Sequence, residues 1–173
     1  MNVPSGAGSG ADATLDLAAK KAVLRQFTYG LYGVTVAAAG EVNGFTANWV
    51  TQVSFEPPLV AVSVENDSHS IGLIRAGGVF AVNVYDAGSR ELAGWLGKRW
   101  SKVPDKLAQV PYRLGSSGCP ILLDALGVVE CRVVGSLPAG DSTLVVGEVV
   151  RAEVLHEGGA PLTMAATGFR HSG

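Results

Sequence analysis

At 173 residues the chain is long enough for one domain and short for two, and it can bury a core without disulfides or a structural metal. Its net charge is −2 and no basic run exceeds Lys98-Arg99, which excludes the basic stripe of a nucleic-acid binder. With 47% hydrophobic and only 16% charged residues, the chain has few charges to cover a monomer's surface. A large core would explain this; burial of part of the surface by self-association is the expectation here.

Residues 1–10 are rich in Gly, Ser and Pro, lack the apolar stretch of a signal peptide, and read as a disordered tail ahead of one domain over 11–173. No run approaches the ~18 apolar residues of a membrane span, so a soluble, cytoplasmic protein without a membrane partner is expected. Cys119 and Cys131 have neither a C-x-x-C spacing nor a neighbouring His. Reduced thiols are the simpler reading, a disulfide is an open alternative, and no metal site is indicated.

Asp12 or Thr14 can cap a helix reaching about Phe27, with Leu17, Leu24 and Phe27 on its apolar face and Lys20, Lys21 and Arg25 on the other. From Gly30 the texture turns to strands. Leu31 to Ala39 is the first, Gly40 to Gly44 reads as a hairpin turn, and Phe45 to Phe55 is the second, ended by Pro57-Pro58. Leu59 to Val64 is apolar enough for a doubly buried strand. Ser68 or Ser70 can cap a short helix that ends at Gly77-Gly78. Val79 to Tyr85 is a fourth strand, and Ser89 can cap a helix carrying Leu92, Trp95 and Leu96.

Residues 97–124 read as one long irregular loop, a length that is usually functional or interfacial. Val128 to Leu137 alternates, with Glu130 and Arg132 on one face and Val129, Cys131 and Val133 on the other. The turn Pro138 to Asp141 leads into a last strand, Leu144 to Leu155. These six strands with short inserted helices predict a mostly β, antiparallel, barrel-like fold.

The chemistry-bearing motifs are few. No dinucleotide glycine fingerprint, phosphate-binding loop, zinc-protease helix or nucleophile elbow occurs. Two stretches are suggestive: Thr46 to Gln52, polar and aromatic within a strand, and Asn66-Asp67-Ser68-His69-Ser70, small donors opening a helix. Amides at a helix N-terminus, joined by hydroxyls and an imidazole, suit a phosphate, although plain helix capping explains the same residues.

The segment Asn43-Gly44-Phe45-Thr46-Ala47-Asn48-Trp49-Val50-Thr51-Gln52-Val53-Ser54-Phe55-Glu56-Pro57-Pro58-Leu59-Val60 resembles the signature of flavin-reductase-like, FMN-binding split-barrel proteins. Further resemblances follow in order. They are Gly33 to Val36, Asn66 to Ser70, Phe80 to Val84, Asp105-Lys106, Gly118 to Leu122, Gly147 to Val150, and the tail Pro161 to Met164 with Thr167 to Phe169.

The resemblance implies a six-stranded Greek-key split β-barrel with short peripheral helices, dimerised around FMN (possibly FAD) with NAD(P)H as co-substrate. Carried over by position, Asn48, Trp49, Val50 and Thr51 would line the isoalloxazine and ribityl chain. Asn66, Ser68, His69 and Ser70 would hold the phosphate, Thr46 and Glu65 would be further cofactor contacts, and Ser101, Lys102 and Lys106 would close over the flavin. Ser142 stands where many family members have a His near the nicotinamide. No catalytic side chain is assigned, because the flavin carries the redox chemistry.

The implied activity is an NAD(P)H:flavin oxidoreductase supplying reduced flavin to a partner such as a monooxygenase. The alternatives are a flavoredoxin-like electron carrier with tightly held FMN, and a non-enzymatic flavin- or haem-binding module.

Overall fold

Helix α1 (Leu17–Leu24) opens the described part of the computed structural model, which covers residues 14–169; the expected tail at 1–10 lies outside it. Its cap is Asp16 rather than Thr14, and the other candidate, Asp12, lies outside the described residues. The Asp16 carboxylate accepts from the amides of Ala18 and Ala19 at 2.9 and 3.0 Å. None of the helix's residues is buried, so the apolar face read from Leu17 and Leu24 does not enter the core.

The main sheet is antiparallel. Strands β1 (Tyr32–Ala38) and β2 (Glu41–Ala47) form a hairpin, as do β3 (Val50–Ser54) and β4 (Leu59–Glu65). Strand β5 (Val79–Tyr85) pairs with β1 and with β8 (Ala125–Ala139), and β9 (Ser142–Val154) lies between β8 and β4. The order across the sheet is β2-β1-β5-β8-β9-β4-β3, seven strands in all. Six were expected because Phe45 to Phe55 reads as one segment; Asn48 and Trp49 divide it into the end of β2 and the whole of β3. Those two residues join opposite edges of the sheet, which must therefore roll until its edges approach at this point.

The hairpin turns are tighter than expected. Ala39 and Gly40, with φ of 49° and 85°, turn β1 into β2, so residues 41–44 belong to the strand. Gly140-Asp141 alone turns β8 into β9, with Ala139 paired to Ser142. Strands β1 and β5, rather than β4, are the ones covered on both faces. Their inner face carries Val34, Val36, Phe80 and Val82 into a core with Val62, Val64 and Val145. Helix α2 (His69–Gly77) adds Ile71 and Ile74 to the same core. The outer face of β5 carries Ala81 to Cys119, Ile121 and Val128.

Residues 97–124 are not one irregular loop. They contain a 3-10 turn (Lys106–Gln109) and a small ribbon, β6 (Tyr112–Leu114) with β7 (Pro120–Leu122). Asn83 fastens this ribbon to the sheet. Its Nδ2 donates to the Gly33 carbonyl at 2.9 Å and its Oδ1 accepts from the Leu122 amide at 2.9 Å. Glu130, expected beside Arg132 on a polar face, is 1% exposed instead. A β-bulge between Glu130 and Cys131 breaks the alternation. The buried carboxylate accepts from the Ser116 hydroxyl and from the Ser117 amide and hydroxyl, bonds that together hold it below its ordinary pKa against the opposing effect of burial.

Helix α3 (Arg90–Leu96) follows β5, and a short α4 (Met164–Thr167) closes the described chain. Cys119 and Cys131 are free thiols, both buried, and burial pushes them up to about 11 and about 12. No helix among the described residues is long and apolar enough to cross a membrane.

Candidate functional site

Where the sheet edges approach, a cleft of about 730 Å³ opens between the β2–β3 junction, the start of α2, the segment after α3, and the C-terminal turn. This is within the usual range for small-molecule sites, roughly 300–1,000 Å³. Of the residues singled out from sequence, Thr46, Asn48, Trp49, Glu65, Asn66, Ser68, His69, Ser70, Ser101, Lys106 and Ser142 line it. Val50, Thr51 and Lys102 do not. Val50 packs against the main core, whereas Thr51 and Lys102 are exposed elsewhere.

Hydrogen bonding separates the lining residues that build the wall from those left to meet a ligand. Thr46 builds: its hydroxyl donates to the Ala93 carbonyl at 2.7 Å and accepts from the Tyr85 hydroxyl at 3.1 Å, tying β2 to α3 and β5. Burial pushes the Tyr85 phenol far up, so it remains a donor. Asn66 also builds. Its amide donates to the Asp141 carbonyl at 2.9 Å and its Oδ1 accepts from the Thr143 hydroxyl at 2.6 Å, pinning the 65–68 loop to the β8–β9 turn. Ser70 is buried and its Oγ accepts from Asn43 Nδ2 at 3.0 Å. Ser142 is 3% exposed, with its hydroxyl donating to Asp141 Oδ1 at 3.1 Å.

Lys106 is the clearest departure from its expected role. Its ammonium is buried and donates to the carbonyls of Leu96 and Lys98 at 2.7 and 2.9 Å. Its own carbonyl accepts from the Trp95 indole at 2.9 Å. The side chain therefore fastens the end of α3 to the segment that follows, and its charge is spent there.

Two features remain directed at a ligand. Ser68 caps α2, its Oγ accepting from the Ile71 amide at 3.3 Å, which leaves the amides of His69 and Ser70 without intrahelical acceptors. That end of α2 carries the positive end of the helix dipole. The second feature is Asn48 Nδ2, which is buried without a hydrogen-bond partner among the described residues. Such a group costs about 1–3 kcal/mol and calls for an acceptor.

Sequence reading did not single out Phe45, Arg99, Trp100, Met164 and Phe169, all of which line the cleft. Met164 and Phe169 come from the tail, held in place by Arg90. Its Nε donates to the Thr167 carbonyl at 3.0 Å, and its guanidinium lies 5.2 Å from the centre of the Phe169 ring. The tail's resemblance to the family was the available signal; its return to the cleft is a property of the fold.

The architecture is thus a rolled, antiparallel, mostly β protein in which the start of α2, suited to an anion, opens on a cleft of mixed polar and aromatic lining. The family model for the flavin reductase like domain matches residues 24–173, and the chain belongs to that family. A Rhodococcus NADH-dependent flavin reductase is 35% identical over 144 residues, 80% of this chain and 78% of its own. Among solved structures, an NADH:FAD oxidoreductase from Streptomyces globisporus superposes with a TM-score of 0.80 at 31% identity, covering 91% of this chain and 93% of that one. Nitrilotriacetate monooxygenase component B from Mycobacterium thermoresistibile gives 0.78 at 30%, covering 86% and 82%. Other relatives are longer: the chain spans 39% of one from Rhizobium meliloti and 62% of a high molecular weight rubredoxin from Moorella thermoacetica.

Proposed function

We propose that the chain is an NAD(P)H:flavin oxidoreductase that binds FMN or FAD in this cleft and supplies reduced flavin to a partner such as a monooxygenase. The observation that carries the reading is Asn48 Nδ2, a buried donor with no acceptor among the described residues, in a cleft that also holds the first two amides of α2, which lack intrahelical acceptors. A flavin fits these groups. Its ring system is rich in acceptors, its phosphate suits the start of α2, and its apolar edge suits Phe45, Met164 and Phe169. When bound, the flavin supplies the hydride-accepting chemistry.

The chain's own residues then have three tasks. Asn48 donates to the ring system, with Trp49 beside it. The His69 and Ser70 amides hold the phosphate, Ser68 and Asn66 keep that loop in shape, and Ser101 is available from the facing segment. Lys106 holds the segment rather than the ligand. No side-chain acid or base is required. The split-barrel description, a homodimer sharing the flavin groove and a cytoplasmic location belong to the same proposal. Low charge and exposed Phe55 (87%), Val53 and Leu137 support the dimer, and two reduced thiols suit the cytoplasm.

Ser142 supports one second reading. A buried hydroxyl paired to Asp141 offers no imidazole surface to a nicotinamide, as would suit an electron carrier with retained FMN. Steady-state oxidation of NADH and NADPH with and without added flavin tests the main reading. Flavin-dependent turnover supports it; tight flavin binding without turnover favours the carrier.

A further inference from the structure

The segment between α3 and the 3-10 turn, residues 97–105, is exposed apart from Val103, and two of its contacts with the body of the protein bear on the cleft. At its base Lys106 holds the Lys98 carbonyl. At its crest it crosses to the start of α2. The Trp100 indole stacks on the His69 imidazole with centroids 4.2 Å apart and planes at 18°, and Arg99 lies 3.5 Å from Asp67. His69 is itself gripped from a third element: its Nε2 is 2.6 Å from Glu41 Oε1 at the start of β2. A carboxylate only accepts, so Nε2 carries the proton in this bond. Glu41 does not line the cleft, whereas His69 and Trp100 do.

We propose that Glu41 is a positioning residue for the cleft: by fixing the His69 ring it supplies the platform on which Trp100 rests, and the resulting clasp sets how firmly the 97–105 segment stays shut and how long a phosphorylated flavin is retained. The part concerning flavin rests on the function proposed above; the clasp itself does not. The Arg99–Asp67 pair is exposed on both sides and contributes little on its own, so the stack is the principal closure. A ring free to turn about its side-chain bonds is a poor stacking surface. Loss of Glu41 therefore weakens the stack without touching it.

Limited digestion with trypsin reads the clasp without ligand, because Lys98, Arg99 and Lys102 all lie in the exposed segment. Glu41→Ala is expected to speed cleavage at these three sites roughly two- to fivefold, and Trp100→Leu roughly three- to tenfold. Glu41→Gln keeps an acceptor for Nε2 and is expected to stay near the parent rate, which a general loss of stability would not reproduce. Stopped-flow release of FMN from the same proteins is expected to accelerate in the same order. Equal cleavage in parent and Glu41→Ala overturns the proposal, as does faster FMN release without faster cleavage. Faster cleavage in Glu41→Ala from a parent that binds no flavin leaves the clasp standing and removes the flavin reading.

Discussion

Asn48 and Lys106 show how little a residue's type says about its task. Both were candidate ligand contacts by resemblance, and only Asn48 has a donor without a partner. Replacing it with Leu, similar in volume, removes a buried unsatisfied amide. Asn48→Leu is therefore expected to hold or raise the melting temperature of the ligand-free protein while weakening FMN binding about tenfold, by calorimetry and flavin fluorescence. A drop in both would mean that the amide is structural. Lys106 makes a prediction in pH. Burial lowers its ammonium from 10.5 to about 8, so between those values the unfolded chain binds the proton more than the folded one. Stability from this residue rises with pH across that window. Urea melts at pH 7.5 and 10 are expected to show the parent gaining on Lys106→Met. The opposite slope would mean that the two carbonyls hold the proton.

At the scale of elements, the sequence announces strands best where β-branched runs are bounded by Gly or Pro. Val79 to Tyr85 matches β5 at both ends, and of the two serines and two glycines expected to bound α2, Ser68 and Gly78 are its caps. Legibility fails where tertiary structure does the bounding. Asn48 is a weak turn signal inside an otherwise strand-like run, and the division of β2 from β3 comes from the closing of the sheet. Glu130 hides behind a bulge and two serines that only the fold brings to it. The turns give sharper tests. Ala39 holds a φ of 49° ahead of Gly40, and a type I′ turn favours Asn there. Ala39→Asn is expected to stabilise by roughly 0.5–1 kcal/mol in denaturant melts. Gly77→Ala is a contrary case. Helix propensity alone would favour it, but an added Cβ would stand 1.9 Å from the Ala37 carbonyl oxygen of β1. A loss of about 1–3 kcal/mol is expected, and a gain would contradict this packing.

For the whole molecule, composition is the source of the expectation that the chain dimerises. Sparse charge pointed to association, and exposed apolar side chains stand on β3 (Val53), the β8–β9 arm (Leu137, Val150) and α1 (Leu17), besides Trp49 and Trp100 at the cleft. A dimer at micromolar concentration is expected in light scattering; a monomer that binds flavin fully would contradict a shared groove. The candidate site was legible in its two segments, and the resemblance pointed to the closing segment through Ser101, Lys102 and Lys106, but not to Trp100 and Arg99, which carry its contacts with α2. The segment after α3 and the tail reach the cleft only because the rolled sheet brings distant parts of the chain to one end. The central claim is that this cleft holds a flavin that a nicotinamide reduces. Anaerobic titration of the flavin-loaded protein with NADH and with NADPH tests it most directly. Bleaching of the flavin's visible absorption at one equivalent of one of the two donors is expected. Bound flavin that neither donor bleaches would contradict the account.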